Sequence, residues 1–389
     1  MKKEIDFSDV KVAFEHKSNA QLNNTIWIYK LIQNPRLVKL LTKLTEFVLK
    51  YNLPFKFLIK KTVFKVFCAG QNRSEAALTM TELKKHGVET VLDYVAEGDN
   101  SEESFSQNLH TILRNICFVN ERAAESFVGV KLSGLEDVEF IRQVAIRNVN
   151  PKDKDRMDAF ISKIHTICTL AVEKNIKVYF DAEEHSTQEV YDFVVEKMMV
   201  TYNTEKVLIY NTLQMYFTDR ISYLNYSISE AKTGGYKLGI KLVRGAYVEK
   251  ERDYAKRDGI QSPVFETKEE TDQSFNEAVR ICLTENGLVN TCLATHNQQS
   301  IELAIALIDL LEITDHRDKI YFSQLFGMSD NLTFNLAKNH YNSSKYVPYG
   351  ELEKAIPYLL RRAEENSSIE GQVSREYELL LQEKKRRSA

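Results

Sequence analysis

The sequence predicts an α/β fold, a (βα)8 barrel of the TIM type with an N-terminal helical region. Three observations point there. From about Lys84 onward, eight short apolar runs rich in Val, Ile and Tyr alternate with helical stretches. Almost every run ends in polar, chemically capable residues, and barrel enzymes place their sites at the carboxyl ends of many strands. The G-x-G-x-x-G that a doubly wound dinucleotide fold needs after its first strand is absent, since Gly234, Gly235 and Gly239 do not fit that spacing.

Residues 1–83 read as a helical, basic and amphipathic region. Ile28, Leu31, Ile32, Leu37, Leu40, Leu41, Leu44, Phe47 and Val48 recur at three- and four-residue steps with lysines between them. Residues 84–369 hold the barrel. Its candidate strands are 89–98 (ETVLDYVAEG), 127–134 (FVGVKLSG), 177–184 (KVYFDAEE), 206–214 (KVLIYNTLQ), 236–247 (YKLGIKLVRGAY), 289–297 (VNTCLATHN), 319–327 (KIYFSQLFG) and 345–350 (KYVPYG). The residues that end them are Lys131, Asp181, Gln214, Lys241 with Arg244, Thr295 with His296, Gln324 and Tyr346. Residues 370–389 read as a charged helical tail ending in KKRRSA.

The 389 residues carry a formal charge of −3, but the average conceals a division. Between His16 and Ser74 stand eleven basic side chains and one acid, Glu46, a local charge of +10 that leaves −13 for the remainder. At 43% hydrophobic and 28% charged the chain buries a large core, which excludes a disordered protein. No fixed-period repeat is present. The five Cys (68, 117, 168, 282 and 292) are far apart with no C-x-x-C, so small buried thiols are expected rather than a disulfide framework or a zinc site. No run of about 18 apolar residues exists to span a bilayer, and the start, MKKEIDFSDV, lacks the apolar stretch of a secretory signal. A cytoplasmic location is expected. The apolar helical periodicity of the +10 segment, without a recognition motif, points to the inner face of a membrane rather than to nucleic acid.

Four constellations have chemical capacity. In Tyr358-Leu359-Leu360-Arg361-Arg362-Ala363-Glu364-Glu365-Asn366, positions 358, 361, 362 and 365 share one helical face that is normally apolar. Two adjacent guanidiniums suit a carboxylate or phosphate. A solvated face with an Arg–Glu pair, contributing about 0.3–0.5 kcal/mol, is the alternative. Asp181 ends an apolar run and could orient a lysine or a substrate ammonium, or cap a helix near Ser186. Lys131 and Lys241 also end apolar runs, and a Lys131–Asp181 pair across adjacent strands would satisfy a buried lysine. Thr295-His296-Asn297 offers an anion site at a helix start or a capping cluster. No Ser/His/Asp order, nucleophile elbow, Walker loop or metal-ligand cluster appears.

KLVRGAY (241–247), ATHN (294–297), FDAEE (180–184), VKLSG (130–134), and Tyr346 followed at the right interval by YLLRRAEEN (358–366), together resemble the proline dehydrogenase family. The similarity runs from FKVFCAG (64–70) to about residue 369. It implies a (βα)8 barrel that binds FAD without a Gly-rich fingerprint. The activity it implies is oxidation of L-proline to 1-pyrroline-5-carboxylate, with hydride passing from proline C5 to flavin N5 and electrons then to membrane ubiquinone or menaquinone.

The resemblance further implies that Arg361 and Arg362 clamp the proline carboxylate. Lys131, pairing with Asp181 and Glu365, lines the same pocket, and Tyr346 and Tyr358 pack on the ring. Lys241 matches a basic residue near flavin N5, where some members have Arg, with Lys three residues on; this chain has Lys241 and Arg244. Gln214, Ala182, Val243, Arg244, Gly245, Ala246, Lys268, Thr295, His296 and Gln324 match cofactor-binding positions. The bulk of Tyr346 disfavours the hydroxyproline-specific branch. A flavin barrel of the methylenetetrahydrofolate reductase type would not require the YLLRRAEEN clamp, and a membrane-surface binding module is the reading from a different class. With no fused aldehyde dehydrogenase expected, the product would pass to a separate pyrroline-5-carboxylate dehydrogenase.

Overall fold

The computed structural model describes residues 5–34, 36–38, 60–95, 100–123, 125–146, 151–315, 319–356, 358–359 and 372–389. Its strands are β1 (Val88–Tyr94), β2 (Phe127–Lys131), β3 (Lys177–Asp181), β4 (Ile209–Gln214), β5 (Leu238–Val243), β6 (Val289–Ala294), β7 (Ile320–Leu325) and β8 (Asn342–Tyr349). They follow one another in chain order in a closed barrel. The pairings are parallel: β1 with β8, and each of β2 to β6 with its successor. All eight expected runs are strands, in the order expected.

Parallel strands covered on both faces read as continuous apolar runs. β4 is buried at all six residues, while β2 and β5 are buried until their last residues, Lys131 and Val243. Burial gives way at Lys131 and Val243, whereas the polar Gln214 and Lys241 stay buried near the carboxyl ends of β4 and β5. The last strand begins three residues earlier than the apolar signal at 345–350, because β8 opens with Asn342, Ser343 and Ser344. Ser343 pairs with Val88 and is buried, so pairing to β1 rather than hydrophobicity fixes that end.

Contacts divide the chain into two compact units, residues 98–323 and residues 1–97 with 324–389. In the first, Phe127 stacks on Tyr179 at 4.5 Å between ring centroids, and Tyr210 meets Tyr179 edge-on at 5.1 Å. Helices begin at recognisable caps. Thr267 and Glu270 form a capping box ahead of the helix Lys268–Thr284.

The second unit contains β1, β8, the helices Val10–Phe14 and Asn19–Ile32, and the C-terminal helix Gln372–Ser388. Ser18 and Gln21 make a capping box at the start of Asn19–Ile32. The expected charged tail is this last helix, and Arg387 fastens it: Nη1 donates to Lys17 O at 2.7 Å and Nη2 to Phe14 O at 2.8 Å, satisfying carbonyls at the end of Val10–Phe14. Glu383 beneath is fully buried and accepts from Arg386 and Arg387.

Lys17 is not a surface charge. Its ammonium lies 2.9 Å from Asp330, whose other carboxylate oxygen is 2.8 Å from Lys345 of β8. Of the other lysines expected to dock on a membrane, Lys39, Lys43, Lys50 and Lys56 lie outside the described residues. Four of the five cysteines are buried, Cys117 is half-buried, and all are free, as expected.

Candidate functional site

The carboxyl ends of β2 to β6 assemble the polar residues of unit 98–323. Lys131 stands opposite Asp181 in the β2–β3 register. Continuing the β3–β4 register past Phe180 and Asn211 by one residue sets Asp181 beside Thr212, and Thr212 is opposite Lys241. In-register partners of a parallel sheet face the same side, so Lys131, Asp181, Thr212 and Lys241 share a face. Thr212, the residue between Asp181 and Lys241, is short. Lys241 Nζ therefore reaches Asp181 Oδ1, at 2.5 Å, across the intervening strand. The two side chains are 7% and 12% exposed, and the ammonium lies 5.3 Å from the centroid of Tyr179, two residues before Asp181. Asp181 does not cap the following helix, because Glu184 is the N-cap of His185–Tyr202.

Next to this pair, Gln214 is buried, and its Nε2 donates to the carbonyl of Glu183 at 2.6 Å. The Glu183 carboxylate accepts from Ser133 N at 3.0 Å and from Ser133 Oγ at 2.6 Å. Burial raises its pKa, opposed by the two Ser133 bonds and by the charge of Lys131.

A second cluster surrounds Arg244. Its Nε donates to Asp272 at 2.5 Å, Nη1 to Thr295 Oγ1 at 2.6 Å and Nη2 to Ser300 Oγ at 2.9 Å, while its plane lies 4.4 Å from the Phe275 centroid. Burial lowers the guanidinium pKa, opposed by Asp272, yet the group stays a cation. Lys268 approaches the other Asp272 oxygen at 2.5 Å. Gly245 has φ +133°, and a Cβ there would stand 2.1 Å from the Tyr216 ring, so no other residue fits. Of Thr295-His296-Asn297, capping falls to Asn297, which accepts from Ser300 N; Thr295 binds Arg244 and His296 is half-buried. Ala182 and Val243 are half-buried and Ala246 is exposed.

In the other unit, Gln324 is buried and its Oε1 accepts from Thr333 Oγ1 at 2.8 Å. Tyr346, expected to end its run, instead lies within β8, opposite Val91 of β1, because pairing to β1 continues to Tyr349; it is 8% exposed. Tyr358 packs in an apolar cluster with Phe14, Tyr29, Phe67 and Leu379. Arg361, Arg362 and Glu365 lie outside the described residues.

Sequence reading does not assign the partners that hold these groups: Glu183, Asp272 and Ser300. The D-A-E-E run displays Glu183, but its partner Ser133 is 50 residues away. Asp272 carries the local signal of an i,i+4 pair with Lys268, a spacing common on solvated helix faces.

The model of the family described as proline dehydrogenase matches residues 76–375. Proline dehydrogenase 1, mitochondrial, of Dictyostelium discoideum is 30% identical over 379 residues, spanning 86% of this chain and 66% of that protein. The carbapenem antibiotics biosynthesis protein CarD of Pectobacterium carotovorum subsp. carotovorum is 31% identical, spanning 84% of each. Among solved structures, proline utilization A (PutA) from Bdellovibrio bacteriovorus, inactivated by N-propargylglycine, superposes with a TM-score of 0.74 at 19% identity, covering 94% of this chain and 38% of that one, which shows a shared fold. The family match takes in all eight strands of the barrel and every strand-end residue described above, and by it this chain belongs to the proline dehydrogenase family.

Proposed function

We propose that this chain oxidises L-proline to 1-pyrroline-5-carboxylate, with FAD as the hydride acceptor and a membrane quinone, ubiquinone or menaquinone, as the final electron acceptor. The observation that carries the reading is the buried Asp181–Lys241 pair at the strand ends of a chain in this family. The residues fit the cofactor: Gln214 and Lys241 offer donors for the polar edge of a flavin ring, while Arg244, Lys268 and Thr295 suit a diphosphate. FAD, when bound, supplies the two-electron chemistry.

The rest follows from the chain's own residues. Loss of hydride from carbon 5 requires the ring nitrogen to be deprotonated and the ring to be held in one orientation. A carboxylate clamp distant from that carbon, Arg361 and Arg362, supplies orientation. Lys241 stabilises negative charge that develops during the reaction, and Asp181 fixes its ammonium in place. The substrate contacts of Lys131, Tyr346, Tyr358 and Glu365 and the cofactor contacts of Ala182, Val243, Gly245, Ala246, His296 and Gln324 belong to the same proposal.

The purified protein is expected to be yellow, and anaerobic L-proline to bleach its flavin spectrum; a flavin spectrum that L-proline leaves unchanged would contradict the reading. Trans-4-hydroxy-L-proline is expected to be a far poorer substrate because the Tyr346 phenol crowds a 4-hydroxyl. Comparable turnover of the two would turn the assignment towards a hydroxyproline dehydrogenase.

The remaining basic residues of 16–74 would hold the enzyme peripherally at an anionic bilayer, each contributing about 1 kcal/mol near its surface. Among the described residues no helix is long and apolar enough to cross a membrane. Equal liposome co-sedimentation by wild type and by a variant with Lys39, Lys43, Lys50, Lys56, Lys60 and Lys61 changed to Gln would contradict docking. Further oxidation of the product would need a pyrroline-5-carboxylate dehydrogenase activity.

A further inference from the structure

Beside the Asp181–Lys241 pair, one further residue ties three strand ends of unit 98–323 together. Glu183 lies two residues past the end of β3. Its carboxylate holds both the backbone N–H and the hydroxyl of Ser133, two residues past the end of β2, in the short helical turn Leu132–Gly134 whose N-cap is Lys131. Its main-chain carbonyl holds the Gln214 amide at the end of β4. Three consecutive strand ends, carrying Lys131, Asp181 and Gln214, thus meet at one residue.

A carboxylate accepting two bonds from a single residue fixes both the position and the rotation of that turn. A surface acid could not do this, because water would compete for both oxygens. The bond to the hydroxyl is 2.6 Å, in the range of charge-assisted O–H···O bonds.

We propose that Glu183 is a positioning residue, one that staples the turn after β2 to the end of β3 and so sets where Lys131 and Gln214 present their polar heads. The staple lies in this chain's own geometry, and its catalytic consequence rests on the proline-oxidising function proposed above. Glu183 touches neither substrate nor cofactor in this account. It acts through Lys131, which would contact proline, and Gln214, which would contact the flavin.

The geometric role makes a specific demand on substitutions. Gln at 183 retains an oxygen to accept from Ser133 N–H, and its amide can donate to Ser133 Oγ, because a hydroxyl both donates and accepts. Ala retains neither bond.

The test uses FAD-loaded Glu183→Ala, Glu183→Gln and Ser133→Ala proteins. Hydrogen exchange in the peptide spanning residues 130–136 is expected to quicken about tenfold in Glu183→Ala, about threefold in Ser133→Ala, and hardly at all in Glu183→Gln. In steady state the Ala variant is expected to raise KM for L-proline about tenfold with kcat within about threefold, and the Gln variant to restore wild-type values. Unchanged exchange in Glu183→Ala overturns the staple whatever the substrate. Fast exchange with unchanged KM overturns the positioning role, and a Gln variant as impaired as Ala would make the charge, not the geometry, responsible. Wild-type flavin that L-proline does not reduce would instead refute the proposed function, while the exchange result still decides the staple.

Discussion

Each unit contains a buried ion cluster, and the two are built differently. In unit 98–323, Asp181 and Lys241 stand at the carboxyl ends of β3 and β5, 12% and 7% exposed, beside the half-buried Lys131 and Glu183. In the other unit, Asp330 takes Lys17 at 2.9 Å and Lys345 at 2.8 Å, with His16 at 3.6 Å; the Asp330 and Lys345 side chains are 5% and 1% exposed. Lys345 also donates to the carbonyl of Met328. Lys345 and Tyr346 are successive residues of β8 and so face opposite sides. The difference teaches that burial and pairing do not mark a reactive group. The Asp330 cluster joins the N-terminal region to β8, whereas the Asp181 cluster stands at the carboxyl ends of the strands, where barrel enzymes place their sites.

Breaking each cluster should separate the two roles. The largest expected effect is on stability. Asp330→Asn leaves Lys345 and Lys17 without their shared anion, and removing one partner of a buried pair costs about 3–5 kcal/mol. Denaturant unfolding should show that loss, while KM for L-proline in the folded protein stays near wild type. A midpoint equal to wild type would remove the structural role.

Arg361→Met and Arg362→Met should do the reverse. Loss of a charge-assisted carboxylate contact is expected to weaken proline binding about 100-fold, near 2.7 kcal/mol, with FAD still bound and unfolding little changed. Near-normal proline kinetics would sink the clamp.

The smallest effect sharpens the comparison by pH. Burial, and then the charge of Asp330, push Glu376 up to about 7, while its carboxylate accepts from Ser329 N at 2.7 Å. A carboxyl whose pKa rises on folding contributes stability below its ordinary value of 4.5 and loses that contribution as pH rises to about 7. Asp330 has the opposite sign: burial opposes it, but Lys17 and Lys345 hold it well below 3.8, so its contribution is present above that value and fades in stronger acid. Glu376→Gln should therefore be more stable than wild type by about 1–3 kcal/mol above pH 7, with the gain vanishing near pH 4.5. A pH-independent difference would mean that Glu376 is not held protonated by the fold.

Much of this architecture is legible in the sequence. Parallel strands bury both faces, so their apolar runs stand out and the polar Lys131, Asp181, Gln214 and Lys241 within or ending them are conspicuous, although only Lys131 and Asp181 lie where burial gives way. The start of β8 is not legible in this way, because Ser343 and Ser344 are buried by pairing and packing rather than by apolar character. Partnership is harder to read than position. Adjacency of strands suggests the in-register neighbour Lys131 for Asp181; it does not suggest Lys241, 60 residues on, which reaches Asp181 at 2.5 Å because a threonine on β4 leaves room between them. Lys17 reads as one more charge on a basic face, and only the fold brings it to Asp330.

Of the two ion clusters, the strand-end pair Asp181–Lys241 serves the chemistry and the Asp330 cluster does not. The rate of anaerobic flavin reduction by saturating L-proline, measured for Asp181→Asn and Asp330→Asn at a temperature where both are folded, tests it directly. The rate is expected to fall about 100-fold in Asp181→Asn and to stay near wild type in Asp330→Asn. Equal rates for Asp181→Asn and wild type, or a collapse confined to Asp330→Asn, would contradict it.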